Sequence, residues 1–342
     1  MVAVLFIIPF PLLRLIPKAM SPILAKIAAA PVHALVWLGN QGTRAIAALV
    51  FFGIAIPPAG RLLKPYVTEA IFLLLCASFL RVDLKLLRDY LRRPGLVLAA
   101  AGWTMLAVPL IAGGVWSLAG LDQASPDIYL ALILQAVASP MMAAPALAAV
   151  MGLDSTLVLV TLVIGTALVP LTAPIFAYIF LGSALMLSPM ALGAKLLAIL
   201  AGSLVAASVI RWRAGAAPIK RHARLIDGIN VLVLFVFVSA VMGNVAGEFL
   251  ADPVRVLALT LLAFAVFFAM IGLTAVIFRR SGYGRAMALG LMVAQRNMGL
   301  MVAATGGALP ETAWLFLGLS QFPIYLTPQL LKPIVARLVP PV

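Results

Sequence analysis

Long apolar segments follow one another along most of the chain, and short stretches between them hold most of the charged and turn-forming residues. These segments are rich in Ala, Leu, Gly and Val, and most approach the roughly 20 residues that a helix needs to cross a bilayer. The alternation of apolar and polar positions that marks the strands of a membrane barrel does not recur. The pattern predicts ten spans: residues 43–57, 65–81, 95–119, 127–151, 154–182, 187–211, 227–246, 254–279, 283–308 and 311–336.

The ten spans divide into two sets of five, residues 43–182 and 187–336, which are similar in length. A unit with an odd number of spans reverses its orientation when it is repeated, and inverted repeats are common in secondary transporters. We therefore predict an all-α polytopic membrane protein built from two inverted five-helix repeats. Residues 1–42 are interpreted as a peripheral or partly inserted N-terminal extension, since their charge order differs from that of a signal peptide.

The fourth span of each half contains residues that interrupt a helix. In the first half, residues 138–145 include Pro140 and Pro145, and each proline removes a backbone donor. In the second half, residues 295–299 read Gln-Arg-Asn-Met-Gly and end at Gly299. Matched interruptions expose backbone dipoles inside the bilayer and indicate a binding site, although proline can also merely bend a membrane helix.

The composition excludes several classes of protein. Apolar residues make up 65% of the 342 residues and charged residues only 10%, against roughly 25% charged in a soluble domain. A water-soluble fold with this composition would expose too much apolar surface. Cys76 is the only cysteine, and His33 and His222 are the only histidines, so neither a disulfide within the chain nor a Cys or multi-His metal site is expected.

Basic residues cluster in alternate loops between the predicted spans. Fifteen fall on one side of the membrane and three on the other if the ten spans alternate. Positively charged loops stay in the cytoplasm, so we expect both termini there, in a bacterial inner (plasma) membrane. The net charge of +14 is then topogenic, and we expect a lipid bilayer but no nucleic acid as a partner. The fifteen residues are Arg81, Lys85, Arg88, Arg92, Arg93, Arg211, Arg213, Lys220, Arg221, Arg224, Arg279, Arg280, Arg285, Lys332 and Arg337.

Arg296 is the most informative single residue, because it lies at the middle of a predicted span. Burying a cation there costs at least ~2.5 kcal/mol on insertion scales, and that span contains no Asp or Glu. Either backbone carbonyls of a broken helix satisfy the guanidinium, or Arg296 has a function. In the second case it binds an anionic substrate or supplies a fixed charge where a cation would otherwise bind.

Other polar residues near the two interruptions are candidates for substrate binding. Gln295 and Asn297 flank Arg296, and Gln135 and Ser139 lie one helical turn apart before the first interruption. Polar residues in membrane spans more often bond a neighbouring helix than a substrate. The spans supply almost no His, Asp or Glu, so we expect neither an enzyme nor a metal or cofactor site.

Three segments in this order and spacing resemble the bile acid:sodium symporter family. The first is Pro65–Pro94, which contains Leu80-Arg81-Val82-Asp83, and the second is Ala138–Pro174, which ends in Thr-Ala-Pro. The third is Gly290–Ala303, at the family's ninth span. The resemblance implies a panel and a core domain, with broken fourth and ninth helices that cross in the core, and transport by alternating access.

The chain departs from this family at the positions that bind two sodium ions. Where the family has Glu and Gln in the ninth span, this chain has Met292 and Arg296. Where the family has a Ser-Asn pair in the fourth span, it has Ala144 and Pro145. A carboxylate has been lost and a cation added, so we do not expect intact sodium sites, and sodium coupling is doubtful.

Other family positions are partly kept. Thr161 matches a sodium-ligand threonine of the fifth span, Asn297 matches the ninth-span asparagine, and Thr104 stands at the third-span glutamine. The resemblance therefore adds Thr161 to the candidate binding residues. It also suggests the hypothesis that Arg296 replaces a sodium ion electrostatically.

Together these observations predict a secondary-type transporter of a small organic anion. The anion would be held by Arg296 and by the helix N-termini at the interruptions. No histidine or mid-membrane carboxylate offers a proton carrier, so facilitated transport or exchange is as plausible as symport. Two alternatives stay open: a transport-inactive sensor or receptor with this fold, and a sodium-coupled bile-acid-like symporter.

Overall fold

A computed structural model describes residues 22–41, 48, 53–81, 94–182, 185 and 187–338. The helices of these residues, in chain order, are α1 (Pro22–Gln41), α2 (Pro57–Leu63), α3 (Val67–Arg81), α4 (Pro94–Gly102), α5 (Val108–Leu118), α6 (Leu121–Ala124), α7 (Pro126–Val137), α8 (Ala144–Val150), α9 (Ser155–Leu181), α10 (Pro189–Ala214), α11 (Ala216–Arg221), α12 (Ala223–Met242), α13 (Val245–Ala251), α14 (Pro253–Ile277), α15 (Tyr283–Ala294), α16 (Met298–Ala304), α17 (Glu311–Leu319), α18 (Gln321–Tyr325) and α19 (Thr327–Leu338). A π-helical turn, Trp103–Ala107, joins α4 to α5.

Six helical segments of the described residues are long and apolar enough to cross a membrane. Two shorter apolar helices, α7 and α15, accompany them. The protein is therefore an all-helical polytopic membrane protein, as the apolar pattern predicted. Most of the predicted span 43–57 and the basic loop 82–93 lie outside the described residues. The six segments are Pro57–Leu80, Gly95–Leu118, Ser155–Leu181, Pro189–Ala214, Ala223–Ala251 and Pro253–Ile277.

Three of the long helices begin at a side chain that caps their free backbone donors. Asp154, Ser188 and Asp252 each accept a hydrogen bond, 3.0 to 3.2 Å long, from the backbone N–H three residues further on. Proline follows directly at Pro189 and Pro253, where its missing N–H costs nothing. These caps set where α9, α10 and α14 start.

The outer helices present apolar side chains to their surroundings. Leu197, Leu204 and Val205 on α10, and Leu257 and Leu261 on α14, are all more than half exposed. Water would penalise such continuous apolar faces, whereas lipid tails contact them without cost. The exposed surface thus identifies an integral membrane protein.

The N-terminal extension contributes one described helix to the bundle. Helix α1 packs along α12 through two glycines, Gly39 and Gly228. A Cβ atom at Gly39 would overlap the Arg224 carbonyl oxygen, and one at Gly228 would overlap the Leu35 carbonyl oxygen. Small residues allow this close approach of two backbones, so α1 is a packed element.

The two predicted interrupted spans lie at the centre of the molecule. The span predicted at 127–151 consists of α7 and α8, and the span predicted at 283–308 consists of α15 and α16. Every residue of α16 is buried, and α16 packs against α3, α7 and α10. Helix α9 packs against both α7 and α8 and thereby supports the first interruption.

Candidate functional site

The two interruptions cross and pair through their backbones. Met141 donates its N–H to the Gln295 carbonyl oxygen at 2.6 Å, and Asn297 donates its N–H to the Ser139 carbonyl oxygen at 2.8 Å. Pro140 and Arg296 face each other as an antiparallel bridge between these two hydrogen bonds. Unwound backbone inside a bilayer must find partners within the protein, and here each broken helix supplies them for the other.

Of the three residues predicted to break the helices, one lies in an unwound segment and two lie at the start of a helix. Pro140 lies within the first break and packs against α9, since a Cβ atom at Gly165 would lie 3.1 Å from the Pro140 Cδ atom. Pro145 and Gly299 instead lie in the first turns of α8 and α16. Both residues thus closely follow the unwound residues, and a proline at the start of a helix loses no hydrogen bond.

Gly299 lies at a close contact between helices. A Cβ atom there would overlap the Cδ1 atom of Ile71 and would lie 3.0 Å from the Phe237 ring. The glycine allows α16 to approach α3 and α12 closely. The second break is confined to residues 295–297 and is shorter than predicted.

Arg296 is buried at the crossing, with 3% of its surface exposed. Its Nη1 atom donates to the Ala138 carbonyl oxygen at 2.8 Å, and Nη1 and Nη2 both donate to the Thr104 carbonyl oxygen at 3.3 Å. The ion pairs found among the described residues do not include it. Backbone carbonyls thus hold the guanidinium without neutralising its charge.

The Thr104 carbonyl is available because of the π-helical turn. In this turn Val108 donates its N–H to Trp103, five residues back, and so does not donate to Thr104. The next donor would be Pro109, which has no N–H. The Thr104 hydroxyl bonds the Ala100 carbonyl at 2.7 Å within its own helix. It is therefore the backbone oxygen of Thr104, and not the side chain, that contacts Arg296.

Two predicted site residues, Gln295 and Asn297, hold the second break in place. Gln295 donates from Nε2 to the Ile324 carbonyl oxygen at 3.0 Å and to the Thr327 hydroxyl at 2.7 Å. The Asn297 Oδ1 atom accepts a hydrogen bond from the Leu300 N–H at 3.1 Å and caps α16. The Gln295 Nε2 atom and the Asn297 Oδ1 atom therefore already have structural partners, whereas the Gln295 Oε1 atom has none among the described residues.

The other three predicted residues, Gln135, Ser139 and Thr161, are buried with side-chain oxygens that have no partner among the described residues. Ser139 contributes its backbone oxygen to the crossing, while its hydroxyl stays unpaired. Gln135 lines a small cavity together with Arg296. An unpaired buried polar atom is costly, so these oxygens are sites where a small molecule, an ion or water could bind.

A cavity of about 120 Å³, here called the crossing cavity, lies beside the paired breaks. Arg296 and Asn297 line it, whereas Gln295, Gln135, Ser139 and Thr161 do not. Arg296 is the only charged residue of its described lining, and most of the wall is apolar. The lining residues are Ile71, Leu74, Leu75, Ser78, Met141, Met142, Ala143, Leu147, Asn230, Leu234, Phe237, Arg296, Asn297, Met298, Gly299, Gln321, Ile324, Tyr325 and Pro328.

Four polar residues of the crossing cavity were not among the predicted site residues: Ser78, Asn230, Gln321 and Tyr325. The Tyr325 hydroxyl and the Asn230 Oδ1 atom have no hydrogen-bond partner in the described part of the chain. Asn230 is visible in the sequence as an amide inside an apolar span, but many membrane amides have only packing roles. Nothing in the sequence marked Tyr325 as a binding residue, because aromatic residues are common in such spans.

No family model matches the chain, and a search of curated proteins finds no match either. Within the described residues, no group of three or more His, Cys, Asp or Glu side chains is placed to hold a metal ion. The resemblance to bile acid:sodium symporters stays a prediction.

Proposed function

We propose that this protein is a secondary transporter of a small organic anion, related to the bile acid:sodium symporters. The observation that carries the proposal is a buried arginine with no carboxylate partner among the described residues, at the crossing of two broken helices and on the wall of an apolar cavity. We further propose ten spans in two inverted repeats, with both termini in the cytoplasm.

The charge of Arg296 favours an anionic ligand. A buried cation that contacts only neutral carbonyls keeps much of its desolvation cost, and a bound anion offsets that cost. A guanidinium has five N–H donors, and the hydrogen bonds to Thr104 and Ala138 use Nη1 and Nη2 only. Donors therefore remain for a carboxylate or sulfonate.

The walls of the crossing cavity come from two groups of helices. Residues of α3 and α12 belong to the first group, and residues of the paired breaks and of α18 belong to the second. A ligand between two such groups is exposed first to one side of the membrane and then to the other when the groups move relative to each other. This is the alternating-access plan of transporters with broken helices.

Arg296 also offers a reason for sodium-independent transport. Its guanidinium is held by two backbone oxygens, as a resident cation would be. A covalently attached charge cannot dissociate and so cannot couple the flux to an ion gradient. We therefore propose facilitated transport or exchange.

Transport in proteoliposomes tests the proposal. We expect saturable flux of at least one organic carboxylate or sulfonate, from a set that ranges from short aliphatic acids to steroid acids, with equal rates in sodium and choline buffers. Binding without flux would assign the protein as a sensor of the same fold. Flux that requires sodium would instead support the sodium-coupled symporter.

Asn230 and Tyr325 are expected to contribute to substrate affinity. Asn230→Leu and Tyr325→Phe each remove one polar group that lacks a described partner. A neutral hydrogen bond contributes about 0.5–1.5 kcal/mol, so each variant should raise the KM of transport about two- to tenfold with a smaller change in kcat.

Ser78→Ala is the matched control for these two variants. Ser78 lines the same cavity, but its hydroxyl already bonds the Leu74 carbonyl oxygen at 2.8 Å. We expect its KM to remain that of the unmodified protein. An unchanged KM in both Asn230→Leu and Tyr325→Phe would place the substrate elsewhere.

A further inference from the structure

The crossing cavity combines a single cation with a wall that is mostly apolar. Arg296 carries the one charge of the lining that the structure describes. A ligand in this cavity therefore meets a positive charge at one place and hydrocarbon over most of its remaining surface. The apolar lining residues from α3 and α12 are Ile71, Leu74, Leu75, Leu234 and Phe237.

The single charge limits how many carboxylates the ligand can carry. A first carboxylate pairs with the Arg296 guanidinium through charge-assisted hydrogen bonds. A second carboxylate would find only neutral groups in the described lining, and the Ser78 hydroxyl and the Gln321 Nε2 atom already bond carbonyl oxygens. Burying an ionised carboxylate without a cationic partner costs far more than a neutral hydrogen bond returns. The cavity therefore favours a monoanion over a dianion.

The volume of the crossing cavity limits the size of the apolar part of the ligand. It is about 120 Å³, somewhat smaller than an engineered apolar cavity of about 150 Å³ that binds benzene. By this comparison the cavity holds a body of about five carbon atoms, and a steroid nucleus exceeds it severalfold. Met141, Met142 and Met298 line the cavity, and methionine side chains adapt to different shapes, so the body can be straight or branched.

We propose that the substrate is a short monocarboxylate or monosulfonate with an apolar body of about four to six carbon atoms. Its head group binds Arg296, and its body lies against the apolar side chains of α3 and α12. Dicarboxylates and steroid acids are poor ligands for the two reasons given above. This inference rests on the proposed transport function and narrows the substrate class of the same site.

Isothermal titration calorimetry on the purified full-length protein at neutral pH tests the substrate class. In the series of straight-chain acids from acetate to hexanoate, each added methylene should lower the Kd about fourfold until the body fills the cavity. Succinate has as many non-hydrogen atoms as 4-methylpentanoate but carries two charges, and it should bind at least about a hundredfold more weakly than that acid. Pentanamide, which lacks the charge, should bind at least about tenfold more weakly than pentanoate.

Leu234→Ala tests whether the body lies against α12. The substitution enlarges the cavity, so the chain length at which the Kd stops falling should increase by about one or two carbon atoms. Leu225→Ala is the matched control, because Leu225 is also a buried leucine of α12 but lies outside the described lining. Its optimal chain length should be that of the unmodified protein.

Three results would overturn the substrate class. They are a Kd that stays constant from acetate to hexanoate, succinate that binds as tightly as 4-methylpentanoate, and an unchanged optimal chain length in a folded Leu234→Ala protein. Each of them leaves transport of other organic anions intact. Failure of every organic anion to bind or to cross the membrane would instead contradict the proposed function itself.

Discussion

Arg296→Met should lower the flux of organic anions about a hundredfold, because it removes the only charge that lines the crossing cavity among its described residues. Methionine keeps an unbranched apolar stem of similar length, so the packing of the stem changes little. The variant should also unfold at a lower temperature. The Thr104 and Ala138 carbonyl oxygens lose their donors, and an unsatisfied buried polar group costs about 1–3 kcal/mol.

Arg296→Lys separates the charge from the shape of the guanidinium. Lysine retains the cation but lacks the planar fork that reaches two carbonyl oxygens at once. We expect flux between those of the Met variant and the unmodified protein, measured as initial uptake into proteoliposomes. Arg255→Met is the control, because Arg255 is exposed and pairs with Glu248 at 3.8 Å, and its flux should be unchanged.

Two results would contradict the role of Arg296. One is a folded Arg296→Met protein that transports at the unmodified rate. The other is a Lys variant that is no more active than the Met variant, which would show that a positive charge at this position does not by itself support transport.

The sequence contained enough information to locate both breaks. Pro140 and Arg296 are each out of place in an apolar helix, one because it lacks a donor and the other because its burial is costly. Such signals depend on a single residue in a periodic pattern, so they are visible without any knowledge of the packing. For the same reason the end of α7 and the end of α15 lie close to the predicted positions.

The partners of these residues could not be predicted, because they depend on contacts between distant parts of the chain. Arg296 reaches Thr104 only because Pro109 and a π-helical turn leave that carbonyl without a helical donor. Gln295 bonds the Thr327 hydroxyl, and so it supports the break without lining the crossing cavity. The one available signal was that Pro109, which has no N–H, lies five residues after Thr104. This spacing frees the Thr104 carbonyl only in a π-helical turn, and the sequence does not reveal that turn.

Met141→Pro should disrupt the crossing itself. The substitution removes the N–H that donates to the Gln295 carbonyl oxygen at 2.6 Å, and an unpaired carbonyl within the bilayer costs about 1–3 kcal/mol. Met141 lies in the unwound segment before α8, so proline breaks no helical hydrogen bond there. We expect a lower Tm and a flux reduced at least about tenfold, since the bridge of Pro140 with Arg296 lies beside the lost bond.

Met141→Leu is the control that keeps the backbone donor. Met141 lines the crossing cavity, so a change of side chain alone could alter substrate binding, and leucine measures that contribution. We expect the leucine variant to retain the Tm and most of the flux. If the proline variant matches it in both, then the backbone pairing of the two breaks does not hold Arg296 in position. The remaining bond, from Asn297 to Ser139, together with the carbonyls of Thr104 and Ala138, would then suffice to fix the guanidinium.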